Sequence, residues 1–238
     1  MKLNRHPDSF LGVEQLGTFF PPYQPTFPFA GEYIDDFHAR IGSCAKGSGL
    51  VNLDEVFATP IKGWLRRADA LKLYELGYFV MGDILELGSY HGLSTCTLSR
   101  ANHNTGGQKR IDTVDLSAAN CAKTIESLRA AQLPGQVEVT CAEAAAAVRH
   151  FRDEGKRFAF VFIDHSHSYQ PVHEVCRLLA DIMSPGGFCL FHDFNDRRNG
   201  DSAHPDYGVY RAVIDGLSPN SFEFYGVYGC TALYHACS

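Results

Sequence analysis

One stretch governs how this chain can fold: Asp83-Ile-Leu-Glu-Leu-Gly-Ser-Tyr-His-Gly-Leu-Ser-Thr95. The apolar run Ile84, Leu85 and Leu87 reads as a buried strand. It enters Gly88, then Gly92, then a helix-compatible segment from Leu93 to Ala101. Gly88 permits a sharp backbone turn where a Cβ would clash. Gly92 lets the helix start close to whatever lies over the turn. The first turn of that helix offers unpaired N–H groups and a partial positive charge, which suit a carboxylate or phosphate. Glu86 adds a carboxylate at the strand's end, placed either for a ligand hydroxyl or ammonium or for capping the adjacent turn.

The rest of the chain continues this alternation. Ile61 to Phe79 reads as a helix leading into the first strand. Ile111 to Asp115 is a second strand, and Ser117 is placed to cap the helix after it. On that helix Ala118, Cys121, Ala122 and Ile125 form one apolar face. Pro134-Gly135 ends it. Val137 to Cys141 is a third strand, followed by an alanine-rich helix from Glu143 to Phe151. Phe158 to Asp164 is nearly all apolar, as a central parallel strand requires. Val172, Val175, Cys176, Leu179 and Met183 mark the next helix, stopped by Ser184-Pro-Gly-Gly187. Phe188 to Asp193 is a fifth strand, and Gly208 to Leu217 a helix. Phe222 to Tyr228 and Cys230 to His235 close the chain as two strands joined at Gly229, which must pair antiparallel because the link is so short. The expected fold is therefore α/β: a Rossmann-like, doubly wound, mostly parallel seven-stranded sheet whose last strand is antiparallel.

In such sheets ligands bind outside the carboxyl ends of the strands. Here those ends carry Gly88, Asp115, Ala142-Glu143, Asp164 and His192-Asp193. The turn lacks the Gly-x-Gly-x-x-Gly spacing of a dinucleotide site, since Tyr90 stands where the second glycine belongs. Its acid-x-Gly-x-x-x-Gly pattern instead resembles the first motif of the class I S-adenosylmethionine-dependent methyltransferases. The resemblance spans about residues 60 to 236. Within it, Phe162-Ile-Asp-His-Ser-His-Ser-Tyr169, Phe191-His-Asp193 and Gly208-Val209 are similar to a bacterial subgroup of macrocin-type and sugar O-methyltransferases, with hydroxylase-like relatives.

That resemblance implies a cofactor bed of Glu86, Gly88, Ser89, Tyr90, Gly92, Ser94 and Thr95 in the turn. Asp115 and Leu116 would hold the ribose side, Ala142 and Glu143 the adenine side, and Asp164 would complete the bed. Glu143 can equally serve as a helix N-terminal acid, and Tyr90 and His91 either touch ligand or only shape the turn. Methyl transfer to an alcohol needs alignment and removal of a proton, by a base or a metal. Asp164, His165, His167, His192 and Asp193 are the candidates, and Asp164, His165, His192 and Asp193 form the expected catalytic group. The resemblance also implies a divalent metal at Asp164, His192 and Asp193. Histidine in that set shifts the preference from magnesium toward zinc, manganese or iron, or toward no metal. A third reading has His192 and Asp193 merely bonding the loop that follows.

The implied activity is S-adenosylmethionine-dependent methylation of a hydroxyl on a small-molecule acceptor. The alternatives are hydroxylase-like or other non-methyl chemistry on the same fold, and a cofactor-binding protein without turnover. A net charge of −6 gives no electrostatic reason to expect nucleic acid. No run approaches the roughly 20 apolar residues of a membrane span, and the first residues lack a signal-peptide core. Cys96, Cys121, Cys176 and Cys189 fall on apolar faces, which predicts buried free thiols and fits a reducing cytoplasm. Residues 1–60 form a separate arm. Its Phe19 to Phe29 segment interleaves four prolines with aromatics and should pack on residues 61–238 or on a partner subunit of a homodimer. A short helix near Glu32 to Ile41 and a flexible Ser43 to Gly49 follow. Trp64 and Tyr74 read as packing residues. The polar loop from Asn195 to Asp206, with His204, either covers the substrate or is solvated disorder.

Overall fold

The computed structural model describes residues 60–65, 67–104, 106–133 and 135–237. The arm, its short helix and the Ser43 to Gly49 segment lie outside the described residues. The elements in order are α1 (Arg67–Phe79), β1 (Ile84–Leu87), α2 (Leu93–Asn104), β2 (Ile111–Asp115), α3 (Ala118–Ala130), β3 (Val137–Cys141), α4 (Ala144–Asp153), β4 (Phe158–Ile163), α5 (Tyr169–Leu178), β5 (Met183–Phe191), α6 (Val209–Gly216), β6 (Phe222–Tyr228) and β7 (Thr231–Ala236). One seven-stranded sheet has the order β3-β2-β1-β4-β5-β7-β6. Strands β1 to β5 are mutually parallel, and β7 is antiparallel to both β5 and β6. The antiparallel strand is thus the last in the chain, as expected, but β6 lies outside it at the sheet edge.

Both faces of the sheet are buried, which explains the unbroken apolar run of β4. Val161 and Ile163 pack into one core with α4, α5 and α6, while Phe160 and Phe162 face the other, with Leu73, Leu76 and Leu98 from α1 and α2. Truncating fully buried Phe162 to alanine should cost about 3–5 kcal/mol, from lost burial plus the cavity left behind. Cys96, Cys121, Cys176 and Cys189 are buried free thiols.

Three boundaries differ from expectation. Residues 61–65 are not helical; α1 begins at Arg67. Gly63 sits so tightly on α2 that a Cβ there would lie 2.5 Å from Leu93 Cδ2, and the segment runs across the α2 N-terminus instead of coiling. Helix α5 ends at Leu178, and Met183 starts β5 rather than belonging to the helix. Ser184-Pro-Gly-Gly187 therefore lies inside β5, at a register shift opposite Phe158/Phe160, where a Cβ on Gly187 would meet Ala159 O at 2.9 Å. On α3 the buried residues are Cys121, Thr124, Ser127 and Leu128, so Ala118 and Ala122 are exposed. The buried stripe carries hydroxyls, which apolar periodicity does not register.

Candidate active site

The parallel strand tips open into one cleft of about 1340 Å³. A single small ligand usually occupies roughly 300–1,000 Å³, so there is room for two ligands side by side. At one end is the glycine turn. Gly88 has φ +97°, and a Cβ on it would stand 2.2 Å from Asp164 O, so only glycine lets the β1 and β4 tips meet. Gly92 (φ +87°) faces Thr124 Cα of α3 at 3.1 Å from a built Cβ. The hydroxyls of α3 hold this turn. Thr124 Oγ1 donates to Ser89 Oγ (3.0 Å) or to Tyr90 O (3.2 Å), and Ser127 Oγ donates to His91 O (2.7 Å).

Glu86 is fully buried behind the turn rather than on the cleft wall. Its Oε2 accepts from Thr95 Oγ1 and Thr113 Oγ1, both at 2.5 Å, which joins α2 to β2. Its Oε1 is buried and has no hydrogen-bond partner among the described residues. Burial pushes the Glu86 carboxyl up to about 7, tempered by the Ser94, Thr113 and Thr95 hydroxyls. Gly92 and Thr95 likewise stand behind the wall, whereas Gly88, Ser89, Tyr90 and Ser94 line it.

Asp115 lines the cleft and also braces it. Its Oδ2 accepts from Tyr90 N (2.8 Å), and its Oδ1 from Ser117 N (2.9 Å) and Asn120 Nδ2 (3.0 Å). Leu116 beside it is 75% exposed, an apolar wall presented to the cleft. Ser117 caps α3 as expected, its Oγ accepting from Asn120 N. Glu143 is the cap of α4: its two carboxylate oxygens accept from Ala145 N and Ala146 N, while Ala142 and Glu143 both border the cleft.

The far end gathers the histidines and acids of β4 and β5. His192 Nδ1 lies 3.1 Å from Asp164 Oδ1 and 3.4 Å from Asp193 Oδ1. The geometry at Nδ1 is not that of a hydrogen bond, so these contacts are electrostatic. Burial alone would lower the His192 pKa, but the Asp164 charge and the contacts with Asp164, Asp193 and Cys230 lift it well above the usual imidazole range. Asp193, in the left-handed region at φ +57°, is held down to about 2 against the effect of burial, by His192, His167 and Arg198. His167 Nε2 and Arg198 Nη2 sit 3.1 and 2.9 Å from Asp193 Oδ2. Burial lowers the His165 pKa, and neither of its ring nitrogens has a hydrogen-bond partner among the described residues.

The loop after Asp193 is ordered, not solvated disorder. Asn199 is buried, donating to Asp193 O and accepting from Tyr210 N, and Asp196, Arg198 and Asp206 line the cleft. Trp64 is no packing residue: it is 77% exposed, borders the cleft, and its ring centroid is 5.2 Å from that of Tyr90. Tyr74 is buried as expected. The sequence reading gave no role to Arg198, Asp69 or Cys230. An arginine two residues after Asp196 in a polar loop was the one available signal; Asp69 reaches the site only through tertiary packing.

A family model described as a methyltransferase domain matches residues 85–194. No curated protein matches the sequence. Among solved structures, cofactor-bound Rv0187 from MTB superposes with a TM-score of 0.63 at 19% identity, covering 90% of this chain and 99% of that one. The O-methyltransferase TomG from Streptomyces achromogenes, involved in tomaymycin synthesis and in complex with SAM, gives 0.62 at 18%, covering 88% and 100%. The O-methyltransferase from Bacillus cereus in complex with SAH gives 0.58 at 16%, covering 83% and 96%. The matched segment is a methyltransferase domain running from β1 to just past β5, and the superpositions, with the strand order, show a methyltransferase-like α/β fold.

Proposed function

We propose that the protein transfers a methyl group from S-adenosylmethionine to a hydroxyl oxygen of a small-molecule acceptor. One observation carries the reading. A single cleft runs from Gly88, Asp115 and Glu143 to Asp164, His192 and Asp193, so a donor and an acceptor can lie end to end. The solved O-methyltransferases that share this fold, found with SAM or SAH, support it.

The chain's residues suit that donor. The close approach at Gly88 leaves backbone where a side chain would fill the bed. The first turn of α2 attracts a ligand carboxylate. Asp115, fixed by three donors, keeps lone pairs for ribose hydroxyls. Leu116 and Ala142 give apolar walls for the adenine ring. When bound, S-adenosylmethionine supplies an electrophilic methyl on a sulfonium, and alignment of the nucleophile with it removes much of the barrier.

The acceptor hydroxyl must lose its proton. With its pKa raised, His192 carries a proton at neutral pH and cannot take another. His165 has both ring nitrogens buried, which leaves it out of this role. We assign proton acceptance to Asp164, on the cleft wall with its Oδ1 3.1 Å from His192 Nδ1. Asp193 is tied up by Arg198 and His167 and orients the loop over the acceptor. The family's divalent cation fits this set only partly. Asp164, His192 and Asp193 are ligand types that manganese, iron or zinc accept, but Asp193 Oδ2 is already neutralised by a guanidinium.

The experiment is S-adenosylhomocysteine formation with hydroxylated acceptors, in wild type and Asp164→Asn. A 10²- to 10⁴-fold loss in the variant, typical of a removed general base, is expected. Turnover restricted to amines, or undiminished by the substitution, refutes the assignment.

A further inference from the structure

Beneath the cleft floor lies a cluster of which the methyl-transfer reading uses only His192. Asp69 from the first turn of α1, His192 after β5, and Cys230 at the β6–β7 turn converge, all buried. Cys230 Sγ is 3.2 Å from Asp69 Oδ2 and 3.3 Å from His192 Nε2, and His192 Nε2 is 3.8 Å from Asp69 Oδ2. The Cys230 backbone N–H also donates to Asp69 Oδ1 at 2.8 Å, which fixes the carboxylate.

We infer that Asp69, His192 and Cys230 form a three-ligand site for a zinc-like divalent ion, with its fourth position toward the cleft. The donor separations carry the argument. Zinc bonds of about 2.3 Å to sulfur and about 2.0–2.2 Å to nitrogen and oxygen place tetrahedral ligands about 3.3–3.6 Å apart. The three measured edges, 3.2 to 3.8 Å, bracket that range without any element having to move. One sulfur, one imidazole and one carboxylate form a borderline-soft set that excludes magnesium and calcium and suits zinc or cobalt(II). Charge agrees as well. The thiol and the His192 Nε2 each release a proton to solvent on binding, so a thiolate, a carboxylate and a neutral imidazole meet a dication inside a buried pocket.

The outer shell is also in place. The other ring nitrogen of His192 lies 3.1 Å from Asp164 Oδ1, so a carboxylate stands beside the ring, as it does next to many metal-bound imidazoles. Cys230 and His192 border the cleft and Asp69 does not, so the open coordination position faces the cavity. Three protein ligands with one open position is the pattern of a reactive rather than a closed zinc site. The site differs from the cation set at Asp164, His192 and Asp193: it uses the opposite nitrogen of His192 and sulfur as a ligand. It does not rest on the methyl-transfer reading.

Cobalt(II) titration of the metal-stripped full chain tests it. The expected result is one tightly held equivalent with a thiolate-to-cobalt charge-transfer band in the near ultraviolet. Zinc should displace it, Cys230→Ser should abolish the band, and Cys237→Ser should leave it. Asp164→Asn should weaken cobalt binding by roughly 10–100-fold, as removal of an outer-shell carboxylate does. Absence of the band in wild type overturns the inference even if Cys230→Ser fails to fold. A band that survives Cys230→Ser, or that vanishes with Cys237→Ser, overturns it as well.

Discussion

Substituting Glu86 by glutamine should remove a pH dependence from the stability of the fold. In the unfolded chain this carboxyl titrates near its usual 4.5, and in the folded protein burial raises it to about 7. Between those values the native state keeps a proton that the unfolded state has lost. Stability contributed by the group is therefore complete below the unfolded value and declines as pH rises through about 7. A shift of that size corresponds to about 3 kcal/mol at 1.36 kcal/mol per unit. Glutamine keeps a carbonyl oxygen for the Thr95 and Thr113 hydroxyls and sets its amide where Oε1 has no partner. Urea denaturation should give matching stabilities for wild type and Glu86→Gln near about pH 4, and a variant more stable by about 3 kcal/mol near about pH 8.5. Parallel stability profiles across that window would show that the buried carboxyl is not protonated and that the argument from burial is wrong.

Other positions give outcomes of different kinds. Gly88→Ala should lose donor binding and about 2 kcal/mol or more of stability, because a side chain at φ +97° would also strike Asp164 O; calorimetry and denaturation together read both effects. Thr124→Val, which keeps the shape but removes the hydroxyl under Ser89 and Tyr90, should cost about 1 kcal/mol in urea and weaken donor affinity. Trp64→Ala should leave stability within about 0.5 kcal/mol, since the ring is exposed, while raising the acceptor KM.

Much of this was legible because parallel sheets buried on both faces write themselves as apolar runs with turn residues at the tips. Phe158 to Ile163 and Ile111 to Asp115 are strands where the sequence places them, and Gly88, Asp115, Asp164 and His192 meet at one cleft. Three features stayed hidden for physical reasons. The α3 face turned toward the glycine turn is built from Thr124 and Ser127, whose hydroxyls brace backbone carbonyls, so hydrophobic periodicity pointed to the wrong residues. Trp64 looked like core because a lone tryptophan usually is, but Gly63 presses its segment over α2 and turns the ring to the cleft. Asp69 is separated from Cys230 by most of the domain, and only the insertion of β7 between β5 and β6 brings them together.

The most direct test of the account is calorimetric titration of S-adenosylmethionine and S-adenosylhomocysteine into wild type and Asp115→Asn. The account predicts micromolar-range binding of both ligands at one site, roughly tenfold or more weaker in the variant, with a cooperative unfolding transition lowered only by the loss of one acceptor for the Tyr90, Ser117 and Asn120 donors. No heat from either ligand, or equal affinity in the two proteins, would contradict a cofactor bed at the glycine turn.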